Sequence, residues 1–224
     1  LFPPWRIRRW KEAAMPLLNA GMLAAFAYFA VGIVVGVLSY GSQLSDLRLY
    51  DDAVSLFPAV FDRRGYAYDL PFLVAFTALR PAYVPLSVAL TAACVAGFAR
   101  DEKLPGATAA VLSLGLVLTT VMGNFEVFTT GAYYLLTKTR DEHPSANLLW
   151  FVVLVKPQYA LLVAVESVVR GRVDWAAVAV GCTSWAITIP LFLASTPEPL
   201  GWFYVVNSLL RPTLFLGLVR LLDG

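Results

Sequence analysis

Histidine occurs once in this 224-residue chain and cysteine twice, which leaves little from which to build a metal centre. His143 stands in the run Arg140-Asp141-Glu142-His143-Pro144 with no cysteine or second histidine near it, the pattern of a solvated turn. Cys94 and Cys182 each fall inside an apolar run, where a thiol behaves as a small buried hydrophobe. Neither a metal nor a cofactor is expected. Charge is scarce as well: 14% of residues are charged, against about 25% in a soluble domain, too few to cover a globule of this size. The net charge of +2 gives no reason to expect a nucleic-acid partner. Internal repeats and low-complexity linkers are absent, so the chain reads as one membrane domain over 1–224. A transporter built from paired broken helices in repeated halves finds no support. The first residue is Leu and no signal-peptide layout follows, so residues ahead of it are expected to be missing or processed.

What the chain has is apolar length. Hydrophobic residues make up 59% of it, and the mean hydropathy is +0.70. The expectation is an all-α, polytopic integral membrane protein with roughly seven to eight membrane-embedded helices, one of them re-entrant. Candidate segments are Leu17–Ser39, Leu70–Ala99, Gly106–Met122, Val127–Thr137, Ala146–Val169, Trp175–Ala194 and Trp202–Val219. Arg80-Pro81 and Pro85 predict a kink or split in the second. The fourth is too short to cross unless Asn124, Phe125 and Glu126 extend it.

Arg6, Arg8, Arg9 and Lys11 precede the first segment and place the N-terminus in the cytoplasm of a cell-membrane protein. Residues 1–16, with Phe2, Trp5, Ile7 and Trp10 among those basics, read as a cytoplasmic interfacial anchor. Counting onward, the loop 40–69 is external, Arg100–Lys103 internal, Gly123–Glu126 external, and Lys138 and Arg140 internal. A straight crossing by Ala146–Val169 would put Arg170 and Arg172 outside. A segment that enters, turns at Lys156-Pro157 and returns keeps both arginines inside, and this is the preferred reading.

The loop 40–69 is a polar island with short helices, holding Asp46, Asp51, Asp52, Asp62 and Asp69 with Arg48, Arg63 and Arg64. Asp46 opens Asp46-Leu47-Arg48-Leu49-Tyr50-Asp51-Asp52-Ala53, either as a helix N-cap or as a base at the membrane face. Tyr66-Ala67-Tyr68-Asp69-Leu70-Pro71 reads as an aromatic belt where the chain returns to the bilayer. Glu126 is a helix cap or a ligand-binding carboxylate. Lys156 lies in Val152-Val153-Leu154-Val155-Lys156-Pro157, too deep among apolar residues to snorkel easily. Its ammonium needs an acid or an anionic ligand, for which a lipid-linked phosphate is suited.

In this order, the four pieces resemble the integral-membrane glycosyltransferases of the C superfamily, glycosyltransferase family 87 in particular. The matching positions are Asp46, Tyr50 and Ala53; Tyr66, Tyr68 and Pro71; Gly123; and Lys156 with Pro157. The likeness runs from about Leu17 to Trp202, on short and degenerate motifs. Asp69-Leu70 stands where paired prolines are common, and Asn124 and Glu126 replace a Gln and an Asn. Family members also carry more membrane helices, so a fragment, a reduced relative or an inactive scaffold is expected. The resemblance implies a polyprenyl-phosphate-linked sugar as donor and a lipid or glycan acceptor on the external face. It implies Asp46 as catalytic base and Arg48, Tyr50, Arg63, Tyr68, Glu126 and Lys156 as substrate-binding residues. The competing expectation is a non-catalytic accessory subunit of a larger membrane protein complex, surrounded by membrane lipids and partner chains.

Overall fold

The computed structural model describes residues 4–40, 45–55, 70–156, 159–171, 173–194 and 211–223. Among them every regular element is helical. The order is α1 (Pro4–Tyr40), α2 (Ser45–Ser55), α3 (Leu70–Leu79), a 3-10 turn at Arg80–Ala82, α4 (Tyr83–Arg100), α5 (Gly106–Val121) and α6 (Glu126–Thr139). A 3-10 stretch at Pro144–Leu149 leads into α7 (Trp150–Val153), then α8 (Ala160–Arg170), α9 (Trp175–Ala194) and α10 (Pro212–Asp223). One helical run among the described residues, Pro71–Arg100, is long and apolar enough to cross a membrane, with 30 residues and a mean hydropathy of 1.8 over its most apolar 18.

Two sets of contacts define the ends of the bundle. At one end the Asp46 N–H donates to the Met122 carbonyl at 3.0 Å, and the Tyr83 hydroxyl donates to the Gly123 carbonyl at 3.0 Å. At the other, Asp101 after α4 binds Lys138 at the end of α6, at 2.9 Å, and Arg220 near the end of α10. We call these the Asp46 end and the Asp101 end. Helix α1 runs parallel to α5: Asn19 donates to Thr108 at 3.1 Å, and Phe26 packs over Gly115. The N-terminal part of α1 therefore belongs to the Asp101 end. Among the described residues, Asp46 and Gly123–Glu126 stand at one end of the bundle and Asp101, Lys138 and Arg140 at the other.

Proline explains the break in the second apolar segment. Pro81 sits in the 3-10 turn that separates α3 from α4, where its ring could not continue an α-helix ladder. Helix α4, at about 1.5 Å per residue, is about 27 Å long, close to a hydrocarbon thickness. Helix α3 stands beyond it and packs on α2. There Tyr50, Phe72, Phe76, Tyr83 and Phe125 form a separate aromatic core capping the Asp46 end. Tyr50 meets Phe72 and Phe76 edge-on at centroid distances of 5.1 and 5.3 Å.

The segment 146–169 is interrupted as Pro157 led us to expect: α7 ends at Val153 and α8 begins at Ala160. The chain goes out and comes back. Its turn lies at the Asp46 end, where Tyr159 binds Glu126. Both arms return to the Asp101 end, where Glu166 of α8 meets Arg140 at 3.3 Å. Pro157 and Gln158 themselves lie outside the described residues.

Candidate functional site

The site is assembled at the turn between α5 and α6. Gly123, at φ 71°, takes the left-handed conformation that favours glycine. Its N–H bonds to the Thr120 carbonyl at 2.9 Å, and the Asn124 N–H bonds to the Thr119 carbonyl at 2.9 Å. This pair of bonds is the Schellman closure of α5. Asn124 then opens the next helix, because its Oδ1 accepts the Glu126 N–H at 2.9 Å. One tight turn thus ends one helix, starts another, and projects Asn124 and Glu126 toward the bundle axis.

Asn124 and Glu126 are 1% and 0% exposed, and Lys156, from the hairpin turn, is 4% exposed. Lys156 Nζ donates to Asn124 Oδ1 at 3.2 Å and lies 3.8 Å from Glu126 Oε2. Asn124 Nδ2 donates to the carboxylate of half-buried Asp46. Tyr159 donates to Glu126 Oε2. The other Glu126 oxygen caps α10, accepting the Thr213 N–H at 3.0 Å and the Thr213 hydroxyl at 2.6 Å. That N–H would otherwise be an orphan donor in the first turn of a helix that Pro212 begins. Thr129 and Thr130 of α6 add hydroxyl contacts to Thr213 at 3.0 and 2.8 Å. Arg211 lies within electrostatic reach of Lys156.

The structure therefore gathers Asp46, Glu126 and Lys156, distant in sequence, around Asn124. Arg48 projects to solvent from α2 and is outside this network. Tyr50 is fully buried, and its hydroxyl accepts the Phe125 N–H at 3.2 Å, so it supports the turn from behind. Glu126 is likewise sealed, a brace between α6, α10 and the hairpin. Arg63, Tyr66, Tyr68, Asp62 and Asp69 lie outside the described residues. Asn124, Tyr159 and Thr213 escaped the sequence reading as site residues. The one available signal was Asn124 following a glycine at a helix boundary, the pattern of a turn that also caps.

Beside Lys156 lies an apolar cavity of about 840 Å³ between α8 and α9, lined by Leu154, Ala160, Val163, Ala164, Ala177, Gly181, Cys182 and Trp185 among others. Lys156 is its charged lining residue. A polar cavity of about 240 Å³ lies at the Asp101 end, lined by Arg140, Asp141, Asn147, Glu166, Asp174 and Trp175 among others, and includes none of the expected site residues. Among the described residues, no group of three or more His, Cys, Asp or Glu is placed to hold a metal ion.

Asp101 completes the electrostatics at that end. Burial opposes its charge, but hydrogen bonds from Lys138 and Arg220 and from the Lys103 N–H hold its carboxyl below the usual carboxylate range. Comparison with protein-family models, curated proteins and solved structures finds no match to this chain.

Proposed function

We propose that the chain is a multi-pass membrane glycosyltransferase acting on a sugar carried by a polyprenyl phosphate, with its N-terminus cytoplasmic and the Asp46 end external. The observation that supports this most is the convergence of Asp46 and Lys156 on Asn124, with Lys156 lining an apolar cavity of about 840 Å³. In the reaction, Asp46 takes the proton of an acceptor hydroxyl as its oxygen bonds to the anomeric carbon. The bond from that carbon to the phosphate oxygen breaks, and the electron pair leaves with the polyprenyl phosphate. Lys156 offsets the charge gathering on that leaving group. The hairpin 146–169 is then a re-entrant loop whose turn lines the external site.

One observation favours a second reading. Lys156 already has an internal counter-ion in Glu126, as in a structural brace, and an accessory subunit of a membrane complex requires no more. Transfer from a labelled polyprenyl-phosphate sugar, measured with the purified protein in lipid, separates the two. Asp46→Asn is expected to reduce transfer about 10²–10⁴-fold with the fold intact, while Asp52→Asn, exposed on the same helix, leaves it unchanged. Equal loss in both variants indicates loop electrostatics, and no transfer by the wild type supports the accessory subunit.

A further inference from the structure

Among the described side chains, Asn124 touches both Asp46 and Lys156. The chemistry of its partners fixes which way its amide faces. Its oxygen meets two donors, the Lys156 ammonium at 3.2 Å and the Glu126 N–H at 2.9 Å, and its NH₂ meets a carboxylate. Turning the amide over would set donor against donor and oxygen against oxygen. A carboxylate here would face Asp46 with like charge, and an apolar side chain would leave a buried N–H and a buried ammonium short of an acceptor. The turn that carries Asn124 is held by the Schellman bonds and by the Tyr50 and Tyr83 hydroxyls. The amide is thus set before any ligand arrives.

The charged and titratable groups facing this corner come from five places. They are Asp46 and Tyr50 on α2, Tyr83 on α4, Glu126 on α6, Lys156 and Tyr159 in the hairpin and Arg211 ahead of α10. Resting on the transferase reading, we propose that Asn124 is the positioning residue of the site, orienting the Asp46 carboxylate toward the acceptor and coupling it to the Lys156 charge. The residue acts through its neighbours and contacts no reacting atom itself.

The test uses Asn124→Leu and Asn124→Asp in the full chain, with Tm, kcat, KM and two pH titrations. Both variants are expected to lose about tenfold to hundredfold in kcat, the scale of a misplaced reacting group, with KM for the polyprenyl-phosphate sugar little changed. Removing a hydrogen bond to an ionised carboxylate favours its protonated form, so the acid limb of the kcat profile should move to higher pH. Asn124→Asp keeps the size of the side chain, so it serves where Asn124→Leu fails to fold. A lowered Tm with kcat per folded molecule and acid limb both unmoved would reduce Asn124 to a structural turn residue and overturn the proposal. The second titration follows the Asp46 carboxyl by infrared difference against Asp46→Asn and needs no turnover. If the wild type transfers no sugar but the Asp46 midpoint still rises in Asn124→Leu, the transferase reading fails and the coupling stands. An unmoved midpoint removes the coupling whatever the activity.

Discussion

Glu126→Gln is the sharpest probe of the bundle, because one atom changes and four contacts report on it. Gln keeps an oxygen for the Thr213 N–H and hydroxyl, now at 3.0 and 2.6 Å. What it loses is the negative charge 3.8 Å from Lys156 Nζ. In place of that oxygen an NH₂ group faces an ammonium and a phenol hydroxyl, the latter able to turn and accept. Breaking one side of a buried ion pair typically costs about 3–5 kcal/mol. In a chain of this length each kcal/mol moves Tm by about 2–4 °C, so a drop of roughly 6–20 °C is expected by thermal unfolding of the purified protein in detergent. Lys156→Met should cost less, since Glu126 would retain three hydrogen-bond donors. The double variant should recover about 1–3 kcal/mol relative to the sum of the singles. A Glu126→Gln protein melting within 2 °C of the wild type, or strictly additive variants, would show that the pair is not coupled and that the brace is misread.

Other outcomes follow from single contacts. Gly115→Ala would place a Cβ 2.4 Å from Phe26 Cζ in the α1–α5 interface, so a loss of about 1–3 kcal/mol is expected. Gly217→Ala meets the far end of the flexible Leu162 at 2.1 Å, and comparing the two Tm values tests whether the smaller loss falls there. Asp101 stabilises fully above the ordinary carboxylate value of 3.8, and that share is lost as pH falls through its lower folded value. Asp101→Asn should therefore flatten the acid end of a Tm-against-pH curve, while an unchanged curve would deny the clamp its role. Gly123→Ala forces a left-handed residue to carry a Cβ at φ 71°. About 1–2 kcal/mol of strain is expected, with transfer falling alongside Tm as Asn124 moves.

The all-helical architecture was legible because its signals are local. Apolar runs, Pro81 and Pro157 each act within a few residues of themselves, and so the split second segment and the broken 146–169 segment could be read directly. Glu126 and Lys156 were recognisable for a similar reason, each being a charge in an apolar neighbourhood that needs a partner, and Asp46 because it opens a helical pattern in the polar island. Their mutual arrangement was not legible. That Glu126 would answer Lys156 depends on the hairpin turn meeting α6, and that Thr213 would share it depends on α10 lying beside α6, a contact spanning 87 residues. Asn124 was passed over because an amide after glycine usually signifies only a turn. The interruption at Arg80–Ala82 was expected, but the separate aromatic core above it was not, since nothing local to Phe72 and Phe76 says what they pack against. Their partner Tyr50 comes from another helix, α2.

The carboxylate that caps α10 belongs to α6, and this gives the bundle an order of assembly. Along the chain Glu126 is made first, then Lys156 and Tyr159, and Thr213 only near the end. A nascent bundle that has already enclosed Glu126 can answer its charge with the hairpin, yet one oxygen waits for donors that do not exist until α10 emerges. Docking of α10 is then drawn by an unfinished bond as well as by apolar contact. It closes a structure whose most buried charge would otherwise stay half-answered. Helix α10 acts as the keystone of this arch, because without Thr213 the Glu126 Oε1 atom would lose both donors described for it.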